Sequence, residues 1–338
     1  MSDLKINNIT DRTGGSGPVI AGVSTVSSTG AFIIPVGPTE MRGGRGRGVF
    51  SNGRNNPNYY STMGYVEIAT TGNTVDFGDT TNAVNGGSGN VSSSTRGLVA
   101  GGYEGSPGAN ISHIDYYTFS SSGGVAGFGD LLEISNTHGA VSNNSRGIYG
   151  GYYPAYNGIL SYVTIASTGD ASDFGSLIER SVASVGGINS PTRGIHSGID
   201  VGGTTKQRTE YVTIDSKGNS EEFGELTVKR TGQGGCSSST RGLSMGGLNP
   251  TILGVIDYCT IATLGNFIDF GDLTTSRRSG SSCSSSTRGL LGGGTTPVNQ
   301  NIIDYVTIAS TGNATDFGDL SYAARGTNAN SDVHGGLG

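Results

Sequence analysis

Six arginines, Arg47, Arg96, Arg146, Arg193, Arg241 and Arg288, each stand before a glycine, and acidic residues recur at matching distances from them. Asp115, Glu210, Asp257 and Asp304 directly precede a tyrosine, while Asp76, Asp173, Glu222, Asp269 and Asp316 directly precede a phenylalanine. Six guanidiniums could form an anion-collecting ring. A repeated Arg-carboxylate pair is the better reading, because the planar guanidinium meets a carboxylate in two parallel hydrogen bonds and so fastens strands. The arginines are therefore read as structural. Signals of catalysis are thin: His113, His138, His196 and His334 are scattered, and there is no nucleophile elbow, phosphate loop or zinc-binding His pair. No catalytic residue, cofactor or metal site is assigned, although a carboxylate pair assembled only by folding would still permit glycan hydrolysis. Cys236 and Cys283 lie 47 residues apart in matching GGCSSST and SSCSSST segments, and Cys259 lies in a tyrosine strand. Without a C-x-x-C spacing, these are read as buried free thiols.

Spacing defines the elements that hold these residues. Successive Arg-Gly steps are 49, 50, 47, 48 and 47 residues apart, and a period near fifty belongs to propeller blades. Tyr65, Tyr116, Tyr162, Tyr211, Tyr258 and Tyr305 precede Phe77, Phe128, Phe174, Phe223, Phe270 and Phe317 by 12 residues in every copy. So constant a distance requires a rigid hairpin with both rings in its packing. The Arg-to-Tyr distance runs from 16 to 20 and must contain a variable loop. Four strands per copy are expected from the axis outward, as in SGSSCSSS, RGLLGGG, IIDYVTIA and ATDFGDL of the last copy. Polarity alternates weakly along IIDYVTIA, as it should where neighbours cover both faces of a sheet. The first copy lacks an inner strand, whereas ARGTNANSDVHGGLG continues past the last Phe-Gly. The tail thus supplies the missing strand and closes an all-β, six-bladed propeller over residues 41–338, removing the edges of an open array.

Residues 1–40 stand outside the repeat. LKINNI, PVIAGV and AFIIPV have strand-like composition, too little for a core of their own, so they are expected to dock on something larger. A net charge of -6 and a pI near 5.2 argue against nucleic acid as a partner. The segment RGGRGRG at 42–48 is too short to reverse this. MSDLKINNIT lacks a basic stretch leading into an apolar core, and no apolar run approaches a membrane span; no membrane association is expected.

The loops differ more than the strands. In an antiparallel blade, the connections leaving the second and fourth strands emerge on one face, and these vary in length. The opposite face carries the constant S-T-R-G and S-T-G-N turns. On the variable face, Asn55, Tyr59, Tyr60, Tyr103, Tyr152, Tyr153, Tyr156 and Asn249 are the candidate ligand-binding residues, since Tyr and Asn adapt to sugar and protein surfaces. The competing reading is that these tyrosines cover blade edges.

Over residues 41–338 the pattern resembles the kelch-like β-propellers. The resemblance rests on the glycine pairs Gly101-Gly102, Gly150-Gly151, Gly246-Gly247 and Gly292-Gly293, the tyrosine strand, and an arginine after the fourth strand, Arg180, Arg230, Arg278 or Arg325. Kelch repeats carry a tryptophan in the fourth strand; here the phenylalanine of D-F-G stands in its place. The wording YVTIASTGNATDFGDL and STRGLLGGG, with ITDRTGGSGP and AGVSTVSSTGAF near the start, resembles repeat-bearing structural proteins of tailed bacteriophage particles, marine ones above all. That resemblance implies a non-enzymatic virion component of a tail, fibre, neck or capsid decoration, assembled in the host cytoplasm. Residues 1–40 would join other virion proteins, the chain would be displayed as a homo-oligomer or in many copies, and the variable face would meet a host-surface glycan or protein. The alternatives are an architectural virion component with no external ligand and a glycan-active enzyme.

Overall fold

The structure, a computed structural model, describes residues 46–86, 88–178 and 182–337. The proposed docking segment 1–40 and Arg180 lie outside the described residues. Six antiparallel sheets, each with four principal strands, follow one another around an axis. Blade 1 runs from its inner strand outward as Asn328–Ser331, Arg47–Ser51, Thr62–Glu67 and Val75–Asp79, and blade 2 as Ser88–Ser92, Arg96–Glu104, Ala109–Thr118 and Ala126–Asp130. Blade 3 has Thr137–Ser142, Arg146–Tyr153, Ile159–Thr164 and Ser172–Ser176; blade 4 has Val182–Asn189, Arg193–Val201, Arg208–Thr213 and Glu221–Glu225. Blade 5 has Gly234–Ser237, Arg241–Leu248, Ile252–Thr260 and Ile268–Asp272; blade 6 has Ser281–Ser284, Arg288–Gly292, Ile302–Thr307 and Thr315–Asp319. This is the six-bladed propeller that the repeat predicts. Its closing strand is the C-terminal one, with Gly48 opposite Ser331 and Ser51 opposite Asn328.

The small residues before each Arg-Gly step are explained at the axis. Ser92, Ser142, Asn189, Ser237, Ser284 and Ser331 occupy matching places on the six inner strands and bond from blade to blade. The Ser331 hydroxyl donates to the Ser284 carbonyl at 2.6 Å, Ser284 to that of Ser237 at 2.8 Å, and Ser237 to that of Asn189 at 2.7 Å. Ser92 donates to the Ser331 carbonyl at 2.8 Å, and the Ser142 amide donates to Asn189 Oδ1 at 2.9 Å. Beyond this girdle the tail turns into the channel. His334 Nε2 meets the Ser92 carbonyl at 2.9 Å, and the Gly336 amide donates to His334 Nδ1 at 3.0 Å. With Nδ1 accepting, the imidazole is neutral, and burial pushes its pKa down to about 4.

The apolar core is divided among the six blade-to-blade interfaces, one buried cluster to each. Between blades 6 and 1, for example, Cys283, Leu290, Ile303 and Phe317 meet Phe50, Val66 and Ile68. The glycine of Arg-Gly allows these sheets to approach. A Cβ at Gly289 would stand 2.7 Å from Cys236 Sγ of the preceding blade, and one at Gly48 would stand 2.7 Å from Cys283 Sγ. The three thiols are free and buried, as expected.

Each tyrosine meets the phenylalanine of the same hairpin edge-on: ring centroids lie 6.0 Å apart for Tyr65 and Phe77 and 6.2 Å for Tyr211 and Phe223. The conserved distance of 12 is therefore a packing distance. The Phe-Gly step does a second job, because the turn glycine of the next blade reaches back to it. Gly72 donates to the Phe317 carbonyl, Gly123 to Phe77, Gly169 to Phe128, Gly218 to Phe174, Gly265 to Phe223 and Gly312 to Phe270, all at 2.8–3.0 Å.

The six arginines are structural, but they do not pair with the acids before Tyr or Phe. Each guanidinium lies over the tyrosine of its own blade, from 4.4 Å for Arg193 and Tyr211 to 4.7 Å for Arg288 and Tyr305. Its Nη1 then donates to a backbone carbonyl at the end of the third strand of the next blade: Arg47 to Phe119, Arg96 to Ala166, Arg146 to Ile214, Arg193 to Ile261, Arg241 to Ile308 and Arg288 to Ala69. Arg47 also meets Glu67 at 3.1 Å, an acid outside the anticipated set. The carbonyl wins because the guanidinium lies at the blade boundary, where the next strand ends with its oxygens unpaired in the sheet.

Candidate functional site

Strand order fixes two unlike faces. The first-to-second and third-to-fourth turns share a face with the arginine joints, the glycine joints and the His334 plug. The described chain also starts there, at Gly46, whose carbonyl accepts from the Ile68 amide. The opposite face carries the second-to-third hairpins and the connections between blades, and here the six copies diverge.

The acids before Tyr serve these connections. Asp304 Oδ1 and Oδ2 accept from the Thr274 hydroxyl at 2.6 Å and amide at 3.0 Å, and Asp304 also pairs with Arg277 at 2.9 Å. Asp257 repeats the arrangement with Thr227 and Arg230. Both pairs are fully or almost fully buried. Asp115 takes Thr81 and His113, and Glu210 takes the Ile178 amide, Ser220 and Arg208. The post-strand arginine equivalent to Arg230 is thus Arg277, one residue earlier than the Arg278 of the sequence reading. Arg278 and Arg325 follow that inward position by one residue and turn away from the ion pair.

Four of the candidate ligand residues come together where blades 1, 2 and 6 meet. Arg54–Asn55 and Asn58–Tyr59 form a small hairpin above blade 1. The Tyr59 ring lies 6.1 Å from that of Tyr103 on blade 2 and 5.3 Å below the Arg54 guanidinium, while Tyr60 stacks on Tyr322 at 4.4 Å. Asn299 Nδ2 donates to the Arg54 carbonyl at 2.9 Å and to Asn55 Oδ1 at 3.1 Å. Arg54 and Arg325 exchange backbone hydrogen bonds of 2.9 and 3.2 Å. Arg54, Arg325 and Tyr322 were missed as site residues by the sequence reading. Arg54 could have been found from its place beside the Asn/Tyr-rich hairpin; Arg325 and Tyr322 arrive from the far end of the chain.

The remaining four separate. Tyr152 is fully buried, not a loop contact: its hydroxyl bonds Ser161, and burial raises its pKa. Ser161 stands where blades 5 and 6 have Asp257 and Asp304, so a large polar side chain turned inward here completes blade 3. Tyr153 and Tyr156 form their own edge-on pair at 5.3 Å on blade 3, with Tyr153 exposed. Asn249 stands apart on blade 5, where its Nδ2 donates to the Lys229 carbonyl at 2.9 Å.

The blade 1, 2 and 6 corner offers guanidinium and amide donors, phenol hydroxyls and carbonyl acceptors. Such a set is chemically suited to polar and anionic groups rather than apolar ones. Among the described residues no group of three or more His, Cys, Asp or Glu side chains is placed to hold a metal ion. Comparison with protein-family models and with curated proteins found no match.

Proposed function

We propose that this propeller is a non-enzymatic structural component of a tailed-phage particle that turns its variable face toward the host surface. The resemblance of the repeat wording to phage structural proteins and of the blade to kelch-like repeats belongs to this proposal. Residues 1–40 would bind other virion proteins, and the chain would act in several copies. The observation that carries the reading is the unequal use of the two faces. One face is occupied by repeated joints and receives the chain at Gly46; the other gathers Asn55, Tyr59 and Tyr60 of blade 1 and Tyr103 of blade 2 without repeating them around the ring. A rigid ring with divergent loops suits presentation of a binding surface.

The test is attachment of the labelled full chain to intact cells of a candidate bacterial host. Saturable attachment is expected, with loss in the triple variant Tyr59→Ala, Tyr60→Ala and Tyr103→Ala when circular dichroism shows an unchanged fold. A folded wild-type protein that attaches to no host cell, although the particle infects it, would overturn the adhesive role and favour the architectural one.

A further inference from the structure

We propose that Arg54, Arg278 and Arg325 form an anion-binding corner on the variable face, taking the carboxylate or sulfate group of an acidic saccharide. This deepens the attachment reading and rests on it for the ligand's location on a host surface. Backbone pairing holds the three arginines together. Arg54 pairs with Arg325; Arg278 pairs with Thr295; Thr295 pairs with Asn299; and the Asn299 side chain returns to the Arg54 carbonyl. The corner is built from three distant stretches of chain.

The fold leaves these charges unspent. Among the described residues none of the three meets a carboxylate, whereas neighbouring Arg277 and Arg230 are buried on Asp304 and Asp257. Among the described residues, Arg278 Nε is buried without a hydrogen-bond partner, and the Arg54 side chain bonds Asn56, a neutral amide. All three are half-buried. Burial, followed by the like charges of Arg54 and Arg278, lowers the pKa of Arg325. In a chain of net charge -6, three arginines gathered by this backbone pairing, with no carboxylate among the described residues to meet them, favour an anion, and a guanidinium fork fits the two oxygens of a carboxylate or sulfate.

The surroundings favour a saccharide over an acidic peptide. The exposed Asn56 and Asn58 supply amides for ring hydroxyls, and the Tyr59 ring is occupied in supporting Arg54 rather than lining an apolar pocket. Arg54 is thus preorganised by a ring beneath it and an amide beside it.

The full chain is titrated with oligogalacturonate, dextran sulfate, neutral dextran and polyglutamate. At least one acidic saccharide is expected to bind saturably, to weaken as salt rises, and to lose tenfold or more in affinity in Arg54→Gln/Arg325→Gln and in Arg278→Gln. Neutral dextran should not bind, and Arg54→Lys/Arg325→Lys should retain part of the affinity. Melting temperature verifies the fold of each variant. Equal binding of neutral dextran, binding of polyglutamate as tight as that of the saccharides, indifference to the Gln substitutions, or no binding by either acidic saccharide would each overturn the proposal. Host-cell attachment separates the two readings: attachment that survives the Gln substitutions removes this inference alone, while its absence in the wild type removes the adhesive function beneath it.

Discussion

Arg241 serves two blades with one side chain: its guanidinium lies 4.6 Å over Tyr258 and donates to Ile308 and Ala309 of the next blade at 2.9 Å. A charge-assisted hydrogen bond and a cation-π contact together are worth about 2 kcal/mol when partly exposed. Arg241→Ala should lower unfolding free energy by about that amount in urea titrations. The Tyr-to-Phe contact could be read from sequence because both rings belong to one hairpin, whereas the arginine's acceptor is a carbonyl 67 residues away and leaves no side-chain signature. His196 illustrates the opposite kind of residue. It is buried, neither ring nitrogen has a hydrogen-bond partner among the described residues, and burial lowers its pKa to about 4. An unfolded chain takes up a proton near pH 6.5 while native His196 and His334 remain neutral until about pH 4. Stability contributed by the neutral imidazoles is thus complete above pH 6.5 and is lost as pH falls toward 4, by roughly 3 kcal/mol for each. Leu291 fills the matching place in blade 6. His196→Leu should therefore raise stability at pH 7 by about 1 kcal/mol and reduce the loss between pH 7 and 4.5 by about half, as measured by urea unfolding at both pH values.

At the scale of elements, the connections into blades 5 and 6 share one fastening although the loops around them differ. Arg277 and Asp304 fasten the segment between blades 5 and 6 with Thr274. Removing one member of a buried pair leaves an uncompensated charge and costs about 3–5 kcal/mol, whereas an apolar replacement of both is close to neutral. Asp304→Ala should cost that much, and Arg277→Met/Asp304→Leu should restore most of it; a double variant as unstable as the single one would deny that charge compensation holds the connection. The strands were legible because their spacing is local and repeated. The connections were not, since Arg277 and Arg278 are adjacent and only the turn of the backbone decides which is buried. Tyr152 was misread for the same reason: a tyrosine after a glycine pair looks like a loop residue, and the signal against it was Ser161 in a place where other blades have an acid.

The molecule as a whole is closed by its last strand and plugged by its tail. Ending the chain after Asp332 should leave the ring intact while lowering its melting temperature, because His334 and its hydrogen bonds are lost. Ending it after Gly326 removes Asn328–Ser331, the inner strand of blade 1, and should abolish the monomeric, cooperatively unfolding species seen by size exclusion and calorimetry. The ring and its closure were legible because both chain ends showed the missing pieces of one repeat. The corner of Arg54, Arg278 and Arg325 was not, since three distant stretches of chain meet there. The central claim is that the variable face is the working surface. It is tested most directly by blocking each face with a bulky maleimide polymer on a single introduced cysteine, Asn58→Cys on the variable face or Ser239→Cys on the fixed face. Burial pushes the thiols of Cys236 and Cys259 up to about 12 and raises that of Cys283 well above the ordinary thiol value, so the native cysteines remain unlabelled. Host-cell attachment should be lost with polymer at position 58 and retained with polymer at position 239; retention at 58 and loss at 239 would contradict the account.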